Sequence, residues 1–291
     1  MKLLSYSVDG QKKLGILSDD CKKIVDIASI GLCANTMQEL IQVLSSTACE
    51  TLLKQAADAP GISISACTIL SPIKQPAQDI ICLGVNYYEH RDETIASDIQ
   101  YSAQSTKPVY FSKRVNETVD PDDYIDSHAD LVEGLDYEVE LAVILGKDAY
   151  HVPLEQAQDY VFGYTIMNDV SARDLQSNHQ QWYFGKSLDR FTPLGPWIVT
   201  KDEFSWPPAL DLRCYVNGDL RQHNNTTHMI TGIVQAIHQL SSGMTLKAGT
   251  ILAMGTPSGV GMAFDPPRYL KAGDVVRCEI DGIGYLENVV R

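Results

Sequence analysis

The run Leu135–Gly146, LDYEVELAVILG, constrains this chain more than any other segment. Tyr137, Val139, Leu141, Val143 and Leu145 alternate with Glu138, Glu140, Ala142 and Ile144. Period-two alternation rich in β-branched residues predicts a strand. Residues i and i+2 of a strand point the same way, about 6.6 Å apart. Glu138 and Glu140 therefore share a face that is otherwise apolar, where they repel one another and lose hydration. Either that strand end meets solvent, or a cation lies between the two acids; a divalent metal would resolve the conflict. A third acid bears on the choice. The β-rich run Val161–Asp174, VFGYTIMNDVSARD, passes through Asn168-Asp169. An Asp at a strand's exit can project into a site at the sheet's end, or it can cap a following turn or helix.

Size and composition exclude several classes. At 291 residues the chain can bury a large core in one domain or two. No apolar stretch approaches the roughly 18–20 residues needed to span a bilayer, so no membrane partner is expected. MKLLSYSVDGQKK at the start lacks the apolar region of a secretion signal. Seven cysteines, scattered and never spaced C-x-x-C, argue against a disulfide framework or a zinc knuckle. The expected setting is therefore the cytoplasm. A formal net charge of −14 makes nucleic acid an unsuitable partner, since binding it needs a basic footprint. A small anion remains compatible, provided a metal and a few basic groups reverse the local field.

The patterning predicts a mostly β protein with flanking helices, of the α+β class. Residues 1–72 read as a small N-terminal α+β domain. In it, Leu3–Val8 and Leu14–Leu17 flank an Asp9-Gly10 turn, and Thr36–Ala57 has helical spacing. Ser71–Asp79, with two prolines, reads as a linker. Residues 73–291 form the larger domain. Its expected strands are Asp79–Gly84, Val109–Phe111, Tyr137–Leu145, Val161–Met167, Trp197–Thr200, Leu210–Val216, Thr250–Met254 and Asp274–Ile280. A helix is expected at Met229–Leu240.

Six runs, taken in order, resemble the fumarylacetoacetate hydrolase (FAH) family. They are GVNYYEH (Gly84–His90), LDYEVELAVILGK (Leu135–Lys147), GYTIMNDVSARDLQ (Gly163–Gln176), GKSLDRFTPLGP (Gly185–Pro196), VNGDLRQ (Val216–Gln222) and GTPSGVG (Gly255–Gly261). The resemblance extends from about Asp79 to the C-terminus. It implies an FAH-type β-roll catalytic domain, a homodimer, and a divalent cation, Mg²⁺ or Mn²⁺. It also implies a small anionic 2-oxo acid substrate, within the broad hydrolase, decarboxylase and isomerase branch. The family's metal ligands fall on Glu138, Glu140 and Asp169, in agreement with the strand argument. Three oxygen ligands suit a hard cation with positions left for water or substrate.

The family's catalytic His–Glu pair maps to His90 and Glu93. Three residues apart, they share a face if the segment is helical; Glu93 would orient the imidazole and His90 would act as base. Lys186 matches an active-site lysine able to neutralise developing negative charge. Gln222 and Thr256 match positions lining the substrate pocket, and Thr256 lies in a glycine-rich turn whose amides can approach a carboxylate. Arg173 and Asp174 are expected to support the metal loop. The contacts of Tyr110, Lys113 and Arg114 stay open. The segment Arg91–Thr106, polar and rich in small residues, reads as a lid.

The expected reaction is hydrolysis of a carbon–carbon bond in a 2,4-dioxo acid of the acylpyruvate or fumarylacetoacetate kind, releasing a pyruvate enolate. Oxaloacetate decarboxylation and keto–enol isomerisation of a 2-oxo acid need the same site and are the alternatives. A non-catalytic 2-oxo acid-binding protein is the alternative of another class.

Overall fold

The computed structural model describes residues 1–45, 56, 59–96 and 107–291. Among these the strand Val139–Leu145 is the axis of an eleven-stranded sheet. It pairs antiparallel with Val161–Asn168 on one side and with Ile251–Ala253 on the other. Ile80–Gly84 and Val109–Lys113 continue the sheet beyond Ile251–Ala253. Leu194–Thr200 continues it beyond Val161–Asn168. A second, five-stranded sheet contains Asp211–Val216, Asp219–Asn225, Val275–Ile280 and Gly284–Val290. The protein is thus mainly β, with helices outside the sheets.

The alternation along Val139–Leu145 separates two cores. Val139, Leu141, Val143 and Leu145 join Leu212, Cys214, Val276 and Cys278 of the second sheet and Ile233, Ile237 and Leu240 of a helix. Ala142 and Ile144 face the other way, into a core with Leu3, Ile16, Leu40, Ile41 and Leu44. Every residue of this strand is buried. An alternating pattern here marks a strand covered on both faces. At its start the apolar residues of the second face give way to Glu140 and Glu138, and that is where a cavity opens.

The N-terminal strands belong to the same sheet: Lys2–Val8 pairs with Leu194–Thr200 across residue 73. Asp9 and Gly10 have φ of 50° and 75°, the double left-handed turn that joins two twisted strands in a tight hairpin. Of the helix expected at Thr36–Ala57, Met37–Ser45 is observed; most of the remainder lies outside the described residues. The Ser71–Asp79 segment is tied down more firmly than a linker. Buried Ser71 donates its N–H to Asp120 at 2.8 Å and accepts from the Thr118 hydroxyl at 2.7 Å. The helix expected at Met229–Leu240 begins at Ile233, after Gly232, and runs to Ser241. Met229 instead bridges to Tyr87, and the Ile230 N–H goes to Asn86 O, so their apolar side chains mimic a helical stripe without belonging to one. None of the described helices is long and apolar enough to cross a membrane.

Gly163 lies within Val161–Asn168, opposite Thr200. A Cβ there would collide with the carbonyl oxygen of Val199, a backbone atom held by the sheet. Gly163→Ala is expected to cost about 1–3 kcal/mol by overpacking. The check is the midpoint of urea or thermal unfolding; an unchanged midpoint would count against this packing.

Candidate active site

Glu138 precedes the central strand, Glu140 lies within it, and Asp169 follows the end of its neighbour Val161–Asn168. Their proximity follows from the pairing Val139↔Asn168. The turn is locked by Glu138 N–H to Asn168 Oδ1 at 3.0 Å and Asp169 N–H to Glu138 O at 2.9 Å. One carboxylate oxygen from each of Glu138, Glu140 and Asp169 lies within 4.8 Å of the others, and all three residues are buried. Asp169 caps no helix; the next one starts at Arg173 with Ala172 at its N-cap.

Three cations surround these acids. Lys186 Nζ sits 2.8 Å from Glu138 Oε2 and 2.7 Å from Asp169 Oδ2. Lys113 Nζ lies 2.6 Å from Asp169 Oδ1 and donates to Val170 O at 3.0 Å. Arg173 links Glu138 Oε1, at 2.7 Å, to Asp136 Oδ2, at 2.8 Å. Arg173 thus braces Glu138, but it also borders the cavity, and its buried Nη2 has no hydrogen-bond partner among the described residues. Lys113 was not assigned from sequence. A lysine closing a β-rich run offered a faint signal, since burial of its chain end demands an acid nearby.

These neighbours divide the carboxyls electrically. Burial pushes Glu138 up, but Lys186 and Arg173 outweigh it and hold the group at about 2. For Glu140, burial and then the charges of Asp169 and Glu138 act together and push its carboxyl well above the usual range. Its one hydrogen bond among the described residues is from Gly255 N–H, at 2.8 Å. Lys186 is raised: burial lowers it, but Asp169 and Glu138 more than compensate. Burial draws Lys113 down despite Asp169. Glu140 is therefore the least compensated acid of the three, next to Glu138 and Asp169. That donor set fits a hard divalent cation.

His90 and Glu93 lie on the helix Tyr88–Ala96, with His90 Nδ1 2.8 Å from Glu93 Oε2. A carboxylate can only accept, so Nδ1 carries the proton and Nε2 is left as the basic nitrogen. His90 borders the same cavity as Glu138, Glu140, Lys186 and Thr256, a cleft of about 590 Å³. The described part of the expected lid, Arg91–Ala96, is the rest of this helix; residues 97–106 lie outside the described residues.

Gln222 and Thr256 meet one another. Gln222 Nε2 donates to Thr256 Oγ1 and to Pro257 O, both at 2.8 Å, and Gln222 Oε1 accepts from Val139 N–H at 3.0 Å. Gln222 is fully buried and pins the glycine-rich turn to the central strand; Thr256 borders the cleft. The turn's amides approach carboxylates, but those of the protein itself. Gly255 N–H serves Glu140, Gly259 N–H serves Glu93 and Gly261 N–H serves Asp136. Gly259, at φ 98°, also packs against the Arg221 carbonyl where a Cβ cannot fit.

In this β fold two acids of a buried three-carboxylate cluster and a glutamate-bonded histidine border one cleft, a set of groups that suits metal-dependent catalysis. The family model described as Fumarylacetoacetate (FAA) hydrolase C-terminal matches residues 79–291, and the chain belongs to that family. It is 43% identical over 228 residues to "Oxaloacetate tautomerase YisK" of Bacillus subtilis, covering 78% of this chain and 74% of that protein. A solved fumarylacetoacetate hydrolase from Exiguobacterium antarcticum is 37% identical, with a TM-score of 0.85, over 100% of this chain and 99% of that one. A maleylpyruvate hydrolase from Sphingobium, solved with manganese(II) and pyruvate, is 28% identical with a TM-score of 0.80, over 100% of this chain and 98% of that one.

Two substitutions test the charge arrangement. Glu140→Gln is expected to abolish Mg²⁺ or Mn²⁺ binding in calorimetry while leaving the melting temperature in chelator equal or higher, because it removes a poorly compensated buried acid. Lys113→Met removes a charged hydrogen bond from Asp169 and is expected to cost about 1.5–3 kcal/mol. A melting temperature in chelator equal to that of the wild type would show that Lys113 is not needed there.

Proposed function

We propose that the protein is a divalent-metal-dependent enzyme that interconverts the keto and enol forms of a small 2-oxo acid such as oxaloacetate. Glu138, Glu140 and Asp169 hold the cation and His90 moves the proton. The observation that carries this reading is His90, bonded to Glu93 at 2.8 Å and bordering the cleft that Glu138 and Glu140 also border. The 43% identity to an oxaloacetate tautomerase supports the reaction type.

When bound, the cation would draw electron density from the keto oxygen and acidify the neighbouring C3–H. The chain's own residues then do the rest. His90 Nε2 takes the proton from C3, and Glu93 stabilises the resulting imidazolium, itself fixed by Gly259 N–H at 2.8 Å. Lys186, 2.8 Å from Glu138 and 2.7 Å from Asp169, favours the charged form of Glu138 and contributes positive charge beside the reacting oxygen. His90 returns the proton to oxygen to complete the exchange. Leu83, Phe111 and Trp182 wall the cleft and limit water.

Hydrolysis of a 2,4-dioxo acid is the second reading. It is favoured by the same dyad, which can equally take a proton from water, and by the likeness to a maleylpyruvate hydrolase. Six free thiols among the described cysteines support a reducing, cytoplasmic setting.

The test supplies the Mg²⁺-loaded protein with enol oxaloacetate, oxaloacetate for CO₂ release, and a panel of acylpyruvates, each with and without chelator. Accelerated loss of enol absorbance, without CO₂ or acyl product, is expected. CO₂ release would move the assignment to decarboxylase, and acylpyruvate cleavage to hydrolase. Binding without turnover of any substrate would leave only a binding protein. His90→Ala is expected to slow turnover by about 10²–10⁴-fold while sparing metal affinity; wild-type turnover would remove His90 from the mechanism.

A further inference from the structure

The helix Tyr88–Ala96 carries His90, yet little apolar packing holds it in place. Among its described side chains His90 and Thr94 are the buried ones, while Tyr88 and Ile95 are 51% and 54% exposed. A nine-residue helix is marginal by itself, and here polar ties must supply the orientation that an apolar face normally gives.

Glu89 and Glu93, four residues apart, lie one above the other on the same side of the helix. Each accepts a hydrogen bond from the body of the protein. Glu93 Oε1 accepts from Gly259 N–H at 2.8 Å, while its Oε2 meets His90. Glu89 Oε2 accepts from Asn224 Nδ2 at 2.8 Å; Ser258 Oγ stands 3.5 Å from the same oxygen, a longer and weaker contact.

Asn224 is placed for this bond by its strand. Along Asp219–Asn225 the side chains of Gln222 and Asn224 are buried and that of His223 between them is exposed. One strand face thus sends Gln222 to the glycine-rich turn that presents Gly259, and Asn224 to Glu89. The amide of Asn224 has a fixed sense. Its Oδ1 accepts from Asn225 N–H at 2.8 Å and from His228 Nδ1 at 2.6 Å, so Nδ2 is the end that faces Glu89. Glu89 lies at the surface, but the amide it meets is buried, and a buried donor left unpaired is costly.

From this arrangement we propose that Asn224 and Glu89 are positioning residues for His90. Together with the Gly259–Glu93 bond, their contact holds the helix at two points one turn apart and so sets the direction of His90 Nε2. One tie alone leaves the helix free to swing about Gly259. The inference rests on the reading of His90 as the group that moves the proton. Neither Asn224 nor Glu89 borders the cleft, so both act through the helix and touch no substrate.

Asn224→Asp tests the tie, because a carboxylate keeps the Oδ1 contacts and sets a negative charge against Glu89. Asn224→Asp/Glu89→Gln restores the bond with donor and acceptor exchanged. Both are compared with the wild type as the Mg²⁺-loaded full chain, with enol oxaloacetate as the probe. Asn224→Asp is expected to lower kcat by about 10–100-fold, as misplacing a catalytic group does, with KM and Mg²⁺ affinity unchanged. The double variant is expected to regain most of the wild-type kcat; a loss caused only by burying the new acid would persist in it. Hydrogen exchange at the amides of Tyr88–Ala96 is expected to quicken in Asn224→Asp and to slow again in the double variant. Wild-type kcat in Asn224→Asp, or a double variant no faster than Asn224→Asp, overturns the proposal. So does a loss of Mg²⁺ affinity that matches the loss of kcat, since the substitution would then act on the acids. If the wild type does not turn over enol oxaloacetate, or His90→Ala does so as fast as the wild type, the reading of His90 fails, which is a different result. Exchange then decides the tie by itself, and equal rates in all three proteins overturn it.

Discussion

Seven ionisable groups buried together govern this structure. Asp136, Glu138, Glu140 and Asp169 face Lys113, Lys186 and Arg173, and all seven are nearly or fully removed from solvent. Burying charge is tolerable only when each group is paired and hydrogen-bonded. Here the pairing is almost complete: Asp136 has Arg173, Glu138 has Arg173 and Lys186, and Asp169 has Lys186 and Lys113. Glu140 is left over. With all seven ionised, the cluster carries one more negative charge than positive; a bound dication makes it net positive by one. An ion bound there would relieve Glu140 and turn an acid pocket into one that attracts an anion. An acidic protein can bind an acidic substrate by this route.

The glycine-rich turn completes the arrangement in a way its composition does not suggest. Runs of this kind commonly offer amides to a ligand's oxygens. In this protein the amides of Gly255, Gly259 and Gly261 are already given to Glu140, Glu93 and Asp136. One turn thus positions an acid of the carboxylate cluster, the partner of His90 and the partner of Arg173. It acts as a clamp on the acid side chains, and Gln222 fastens that clamp to the central strand through Val139 and Thr256. A substitution in the turn would disturb all three acids together, since they share one length of backbone.

Much of this could be read from residues alone, and the reason is periodicity. Alternation over Tyr137–Leu145 placed Glu138 and Glu140 on one face, an inference that needs only local geometry. Strand termination left Asp169 open between the site and a helix cap, and the family resemblance assigned it to the acids. The resemblance also supplied the His90–Glu93 pair, whose spacing works because a helix brings i and i+3 together. What local geometry cannot supply is the partner across the fold. Lys113 meets Asp169 from a strand at the far edge of the sheet, 56 residues earlier in the chain. Gln222 was assigned to the pocket lining, yet its amide is consumed by contacts with residues far along the chain. Even a strong pattern misled at Met229–Ile230, whose apolar spacing continued a helix that Gly232 delays. The Asn217-Gly218 turn, with φ of 54° and 85°, joins Asp211–Val216 to Asp219–Asn225 as a hairpin that was not predicted.

The reactions available to such a cleft differ less in machinery than in what reaches His90 Nε2. A C3–H held there yields tautomerisation, and a water held there yields attack on a second carbonyl. The carboxylates are common to both and cannot decide between them. The decision falls to the surfaces that admit or exclude water and fix the substrate's far end. On one side these are Leu83, Phe111 and Trp182, with the Phe111 and Trp182 rings edge to face at 5.2 Å. Gly84 makes that wall possible, since a Cβ there would overlap the Trp182 ring. The ring can close over the sheet edge only because the strand beneath it lacks a side chain at that point. The apolar wall lies beside the charged cluster, so it also lowers the local dielectric and strengthens every ion pair within it. The shape of this wall and the electrostatics beside it therefore share a cause: the close packing of the Trp182 ring on Gly84.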